Sequence, residues 1–179
     1  EGEFNPKLHD ACLQKAFVYL MTGDKKFGKD AIALMDAYMG VVEFSNLLDI
    51  TREIGQVIYH GSLVYDWCYD QLTDEEKNYI EQALIRNAIN YGIDYLNGQP
   101  HGVDFITVRN NWNLVCNTGL TAAALVLCDK YPKLSFRMME ANLKSIENGL
   151  SGFAPAGGWD EGAMYWDYTM QYSTYLFTM

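Results

Sequence analysis

From Leu114 to Cys128 the chain is apolar almost without interruption; only Asn117, Thr118 and Thr121 break the run. That is helix length, yet short of the roughly 20 apolar residues a bilayer-spanning helix takes. A helix apolar on all sides has no solvent face, so it belongs in a protein core. Whatever fold the chain adopts must wrap other elements around this one.

The flanking segments supply them. Residues 7–22 and 27–39 carry helical patterning, broken at Gly23-Asp24. A long helix follows from about Thr51, with Ile54, Val57, Ile58, Val64 and Cys68 on one face. Thr73 and Glu76 form a capping box, and Asp74 and Glu75 add negative charge where a helix N-terminus favours it. Behind that start, Ile80, Ala83, Leu84, Ala88, Tyr91 and Tyr95 make one stripe opposed by Glu81, Gln82 and Arg86. Residues 133–150 are amphipathic too, with Met139, Leu143, Ile146 and Leu150 inside and a Glu140–Lys144 pair outside. Loops rich in Gly and Pro at 98–109 and 151–162 precede the run at 110–128 and an aromatic-rich stretch at 163–179. No segment of convincing length alternates with the period of a strand. The expectation is one all-α domain over residues 1–179.

Alternating buried and amphipathic helices in antiparallel pairs predict an inner and an outer ring, an α/α barrel or toroid. Inner helices of such a ring run parallel. Residues 110–128 and 163–179 then open on the same rim, where the loops 98–113 and 151–166 meet. The last helix reaches Met179 with no stop signal. We therefore expect the barrel to be incomplete here, and a missing C-terminal part of the same polypeptide to finish it.

Composition narrows the partners. The formal net charge of −10 repels a polyanion at long range and argues against nucleic acid. The length of the apolar run argues against a membrane span. Cys12, Cys68, Cys116 and Cys128 show neither a CxxC pair nor metal-ligand spacing, so buried free thiols are expected, and no metal or cofactor is. The 13 Tyr, 8 Phe and 4 Trp suit a large core, and also a cleft that stacks sugar rings.

The predicted rim collects Arg109, Asn110, Asn111, Trp112 and Asn113 beside Trp159, Asp160, Glu161, Tyr165 and Trp166. Two helix N-termini there would offer free backbone N–H groups and partial positive charge. With Arg109 and the amides as further donors, this end suits a carboxylate despite the overall charge. The segments NNWN at 110–113, GGWDEGAMYWDY at 157–168 and YDWCYDQLTDEEKNYIEQAL at 65–84 together resemble the helical domain of the heparinase II/III-like polysaccharide lyases, which include alginate lyases. The resemblance covers roughly residues 50–179.

It implies β-elimination on a uronic-acid-containing polysaccharide, in the periplasm or outside the cell. A donor neutralises the substrate carboxylate, a base removes the adjacent C5 proton, and an acid protonates the departing glycosidic oxygen. On motif position the family's catalytic Asn matches Asn111, and its catalytic Tyr matches Tyr165. An unperturbed phenol ionises only near pH ~10, so Tyr165 needs a cation beside it, and Arg109 is the candidate. Having taken the C5 proton, a Tyr can return it to the leaving oxygen. Arg109, Asn110, Trp112, Trp159, Trp166 and His101 are the expected substrate contacts. The family often carries His directly after the Asn; Trp112 stands there, and His101 is the nearest replacement in sequence.

Each of these residues also has a structural reading. Asn111 suits a helix cap. Tyr165 can join Tyr168, Tyr172 and Tyr175 in packing, and the Trp side chains suit a core. His60 reads as a hydrogen-bonded core histidine, and His9 is given no role. Asp160 and Glu161 suit the first turn of the helix at 163. With a second acid such as Asp104 they also suit a glycoside hydrolase, which needs carboxylates on both sides of the bond. A non-catalytic glycan-binding domain is the third reading, favoured by the acidity and by Trp112.

Overall fold

A computed structural model describes residues 6–39, 51–96 and 105–179, and every regular element among them is helical. The chain opens with an antiparallel hairpin, α1 (Pro6–Thr22) and α2 (Lys25–Met39). Gly23 makes the turn at φ +71°, a conformation that strains any residue carrying a Cβ. Along the pair, the Cys12 thiol donates to the Ala31 carbonyl, and Lys15 meets Asp30 at 2.8 Å.

A π-helical stretch, Thr51–Ile58, runs directly into α3 (Tyr59–Trp67), where uninterrupted α-helix was expected. Its predicted face is buried, with Val57, Ile58, Val64 and Cys68 all 2% exposed or less, while the Ile54 side chain lies outside the described residues. Gly55 is where this stretch touches the central helix. A Cβ there would collide with the Val115 side chain and lie 3.0 Å from the Val115 carbonyl oxygen. Gly55→Ala should therefore destabilise the protein by about 2 kcal/mol, since overpacking outweighs alanine's better helix propensity. The denaturation midpoint measures it; an unchanged midpoint would mean the two helices separate freely.

The capping box forms as predicted: the Glu76 N–H donates to Thr73 Oγ1 at 3.2 Å, and the Thr73 N–H to the Glu76 carboxylate at 2.7 Å. It starts α4 (Asp74–Leu84), which continues through a π-helical stretch, Ile85–Ile89, into α5 (Asn90–Leu96). Ile80, Ala83, Leu84 and Ala88 are buried; the Tyr91 and Tyr95 side chains lie outside the described residues. Glu81, expected on the solvent face, is 2% exposed. Its carboxylate accepts from Tyr65 at 2.8 Å, from Tyr131 at 3.2 Å and from Lys130. Burial pushes the Glu81 carboxyl up, but the bonds from Lys130 and Tyr65 outweigh it and hold its pKa below the usual value. A buried charge survives because it is paired.

The central helix α6 (Asn111–Val126) is buried along most of its length, and α7 (Pro132–Ser151) returns antiparallel beside it. The inward face of α7 differs from the predicted one. Ser135, Met138, Asn142, Ser145, Ile146 and Gly149 are buried, whereas Leu143 is 68% exposed and Leu150 38%. The cause lies in the polar residues that interrupt α6. Asn113 donates to the Ser145 carbonyl at 3.0 Å, Asn117 to the Ser145 hydroxyl at 2.9 Å, and Asn142 to the Thr121 hydroxyl at 3.1 Å. Leaving buried amides unpaired costs more than exposing a Leu, so α7 turns its small polar face inward. Gly149 has no Cβ to obstruct Asn113 and Leu114. The Glu140–Lys144 pair forms outside, at 3.2 Å.

Helix α8 (Ala163–Thr178) packs along α6, the Thr118 hydroxyl reaching the Tyr172 carbonyl at 3.1 Å. Contacts fix the helix directions. His9 stacks on His60, and Tyr19 bonds Asp70, so α1 and α3 run parallel. Gln56 bonds Tyr168 at 3.1 Å, and Tyr59 stacks on Tyr175, so α3 and its π-helical lead run parallel to α8. On the other side of α8, Met170 and Phe177 border an open apolar groove of about 370 Å³ with Leu150 and Phe153. Cys12, Cys68 and Cys116 are buried free thiols, and Cys128 is a half-buried one. No helix among the described residues is long and apolar enough to cross a membrane.

Candidate functional site

The first turns of α6 and α8 share one end of the molecule. Asn110 caps α6: its backbone is extended, and its side-chain oxygen accepts from the Trp112 N–H at 3.2 Å. The capping role open to Asn111 thus falls one residue earlier. Asn111, 3% exposed, points its donors elsewhere. Its backbone N–H donates to Glu161 Oε2 at 2.7 Å, and Nδ2 lies 2.9 Å and 3.1 Å from the two Glu161 oxygens. The Trp159 indole adds a donor to the same carboxylate at 3.0 Å.

Glu161 therefore does not cap α8, the helix it precedes, but closes the head of α6. The first N–H groups of a helix lack intrahelical acceptors and carry partial positive charge, so a carboxylate within reach is drawn there. The N–H groups expected to be free on α6 are satisfied by the chain itself. α8 starts after Gly162, at φ +92°, without a side-chain cap.

The two rim segments meet as predicted. At Gly152 a Cβ would lie 2.5 Å from the Arg109 carbonyl oxygen and 2.7 Å from the Trp159 ring. Trp159 packs on Phe153, ring centres 4.4 Å apart, and the Trp166 indole donates to the Gly157 carbonyl at 2.9 Å, folding the loop back on α8. Around this knot stand exposed groups: Arg109, and the rings of Trp112 at 36%, Tyr165 at 41% and Trp166 at 39%. Asn111 and Trp159 hold Glu161, while Arg109, Trp112, Tyr165 and Trp166 face solvent. His101 and Asp104 lie outside the described residues.

Below Tyr165, the rings of Tyr168, Tyr172 and Tyr175 continue down α8, and burial pushes the Tyr59 and Tyr172 phenols up, Tyr59 to about 12. These are packing groups. The His9 and His60 rings stack at 4.0 Å with 17° between their planes. Burial lowers them to about 4 and about 3, His9 adding to the effect on His60, so both are neutral at pH 7. Among the described residues no three His, Cys, Asp or Glu side chains converge as a metal site would require.

Sequence patterning had no signal for the Glu161–Asn111 contact, which spans 50 residues. The His9–His60 pair was equally hidden, since each residue sits in an ordinary helical segment. No protein-family model matches the chain, and no curated protein matches it.

Proposed function

We propose that the rim at the heads of α6 and α8 is the reactive edge of a polysaccharide lyase that cleaves a uronic-acid-containing glycan by β-elimination. One observation carries the reading: donors at the head of α6 hold a carboxylate, on the same edge as an exposed phenol, Tyr165, and an exposed cation, Arg109. Elimination next to a uronate carboxyl needs those three elements. In this reading Asn111 neutralises the carboxylate by hydrogen bonding, and Tyr165 takes the C5 proton and returns it to the leaving oxygen, with Arg109 the exposed cation on the same edge. Trp112 and Trp166 offer the exposed rings on which sugars stack. A polymeric substrate places the work in the periplasm or outside the cell.

The matching fold is an α/α toroid. Its support is alternation: α6 and α8 open on one rim, and α7, between them in the chain, returns antiparallel to α6, as inner and outer helices of a toroid alternate.

A hydrolase using Glu161 loses ground, because that carboxylate accepts three donors at the head of α6. A purely glycan-binding role draws on the same exposed Trp rings and is separated by one substitution. Tyr165→Phe should leave affinity for a uronic-acid polymer within about twofold and cut the formation of unsaturated product at least about a hundredfold. If the wild-type protein binds such polymers and neither form yields unsaturated product, the rim binds glycan without cleaving it.

A further inference from the structure

The Glu161 carboxylate occupies the donors that the reading above assigns to a uronate carboxyl. It accepts from the Asn111 backbone N–H at 2.7 Å, from Asn111 Nδ2 at 2.9 Å and from Trp159 Nε1 at 3.0 Å. Asn111 itself is 3% exposed, so an incoming carboxylate cannot reach its amide while Glu161 stays in place. The segment bearing Glu161 is jointed at both ends: Gly157 and Gly162 have positive φ, +79° and +92°, and a Cβ at Gly157, Gly158 or Gly162 would meet nothing within 4 Å. Glycine changes φ at little steric cost, so residues 157–162 have a joint at either end. What holds them down besides Glu161 is the packing of Trp159 on Phe153 and the bond from the Trp166 indole to the Gly157 carbonyl.

We infer that Glu161 is an autoinhibitory internal ligand, a built-in carboxylate that holds the strap 157–162 closed over Asn111 until a substrate carboxylate displaces it. The inference rests on the lyase reading for the identity of the displacing group, though not for the displacement itself. Tethering gives Glu161 a high local concentration, so the external carboxylate competes at a disadvantage. That makes the rim selective: a neutral sugar has no group to exchange for Glu161, and a uronate has one. Displacement also breaks the bond from the Trp159 indole to Glu161, so that N–H reports the exchange from the strap itself.

The test uses the full chain, labelled with ¹⁵N, as wild type and as Glu161→Ala. Each is titrated with glucuronate, with acetate and with the neutral methyl glucoside, and the Asn111 backbone and side-chain amides and the Trp159 indole are followed by NMR. In Glu161→Ala, acetate and glucuronate should both move these three signals, glucuronate binding about tenfold more tightly than to wild type, and methyl glucoside should move none. Acetate binding without glucuronate binding would sustain the strap and sink the uronate reading. Equal glucuronate affinity in wild type and variant would overturn the strap and leave the uronate reading standing. No response to either carboxylate in a folded variant overturns the strap outright. Should Glu161→Ala unfold, Glu161→Gln keeps the size and one acceptor while losing the charge, and the same outcomes are read from it.

Discussion

Replacing Asn113 with leucine should lower the unfolding free energy by about 3 kcal/mol, although leucine is the more hydrophobic side chain. Asn113 is completely buried. Its amide donates to the Ile106 carbonyl at 2.9 Å, to the Ser145 carbonyl at 3.0 Å and to the Ser145 hydroxyl at 3.1 Å, and Asn117 donates back to Asn113. Leucine has the same branched outline but bulkier ends, which a site crowded by Gly149 and Leu114 must strain to admit. The Ser145 carbonyl loses its bond from Asn113, while the Ile106 carbonyl keeps Ser145 and Asn148 and the Asn117 amide keeps the Asn113 carbonyl and the Ser145 hydroxyl. Each buried polar group deprived of its bond costs ~1–3 kcal/mol. The Leu114 side chain and Gly149 crowd the site, so no water fits easily in the amide's place. Chemical denaturation followed by circular dichroism checks this. A variant within about 0.5 kcal/mol of wild type would show that the bonds are neutral ornaments of the interface. Because the same bonds anchor the segment at Ile106 that leads into Asn110 and Asn111, the variant should also loosen the rim.

The second large effect is on acid stability. Burial lowers His9 to about 4 and His60 to about 3, below the ordinary value of 6.5. Both are uncharged in the folded protein above those values, whereas in the unfolded chain they take up protons as pH falls through 6.5. The unfolded state then binds more protons, so stability declines with falling pH. It is unaffected above 6.5, drops from there towards 4 through both residues, and goes on dropping towards 3 through His60. For His9 alone the loss amounts to about 3 kcal/mol at pH 4, at ~1.4 kcal/mol per pKa unit. The groups around the pair oppose this only weakly. Asp10 on α1 raises His9, Tyr59 lies beside His60 as a neutral ring, and His9 itself disfavours a charge on His60. His60→Phe, which keeps the stacked ring without the basic nitrogen, should about halve the slope of stability against pH between 6.5 and 4 and remove the further drop towards 3. An acid-unfolding curve of unchanged slope would mean the pair is not buried as a neutral stack.

The helices were legible in the sequence because apolar periodicity, the Thr73–Glu76 box and the Gly23 turn are local signals. Asn117 and Thr121 looked like flaws in an apolar run, though they decide the packing of α7. Hydrophobic periodicity could not show this, because it scores Leu143 and Leu150 as inward and ignores Ser145, Asn142 and Gly149. Those small and polar residues face inward only because the neighbouring helix presents amides that need them. Glu81 misled in the same way: a carboxylate next to an apolar stripe reads as solvent-facing until Tyr65, Tyr131 and Lys130 arrive from elsewhere in the chain. The meeting of the two rim segments did follow from the order of the helices. What each rim residue touches did not, since local pattern placed Glu161 on α8 and the dipole of α6 drew it across.

The proposed elimination on uronic acids leaves a direct signature, read by following ultraviolet absorbance and new reducing ends together while the protein acts on a uronic-acid polymer. Both should rise in step, one unsaturated sugar for each new end, and Tyr165→Phe should abolish both. New reducing ends without any gain in absorbance would contradict elimination, because hydrolysis leaves no double bond.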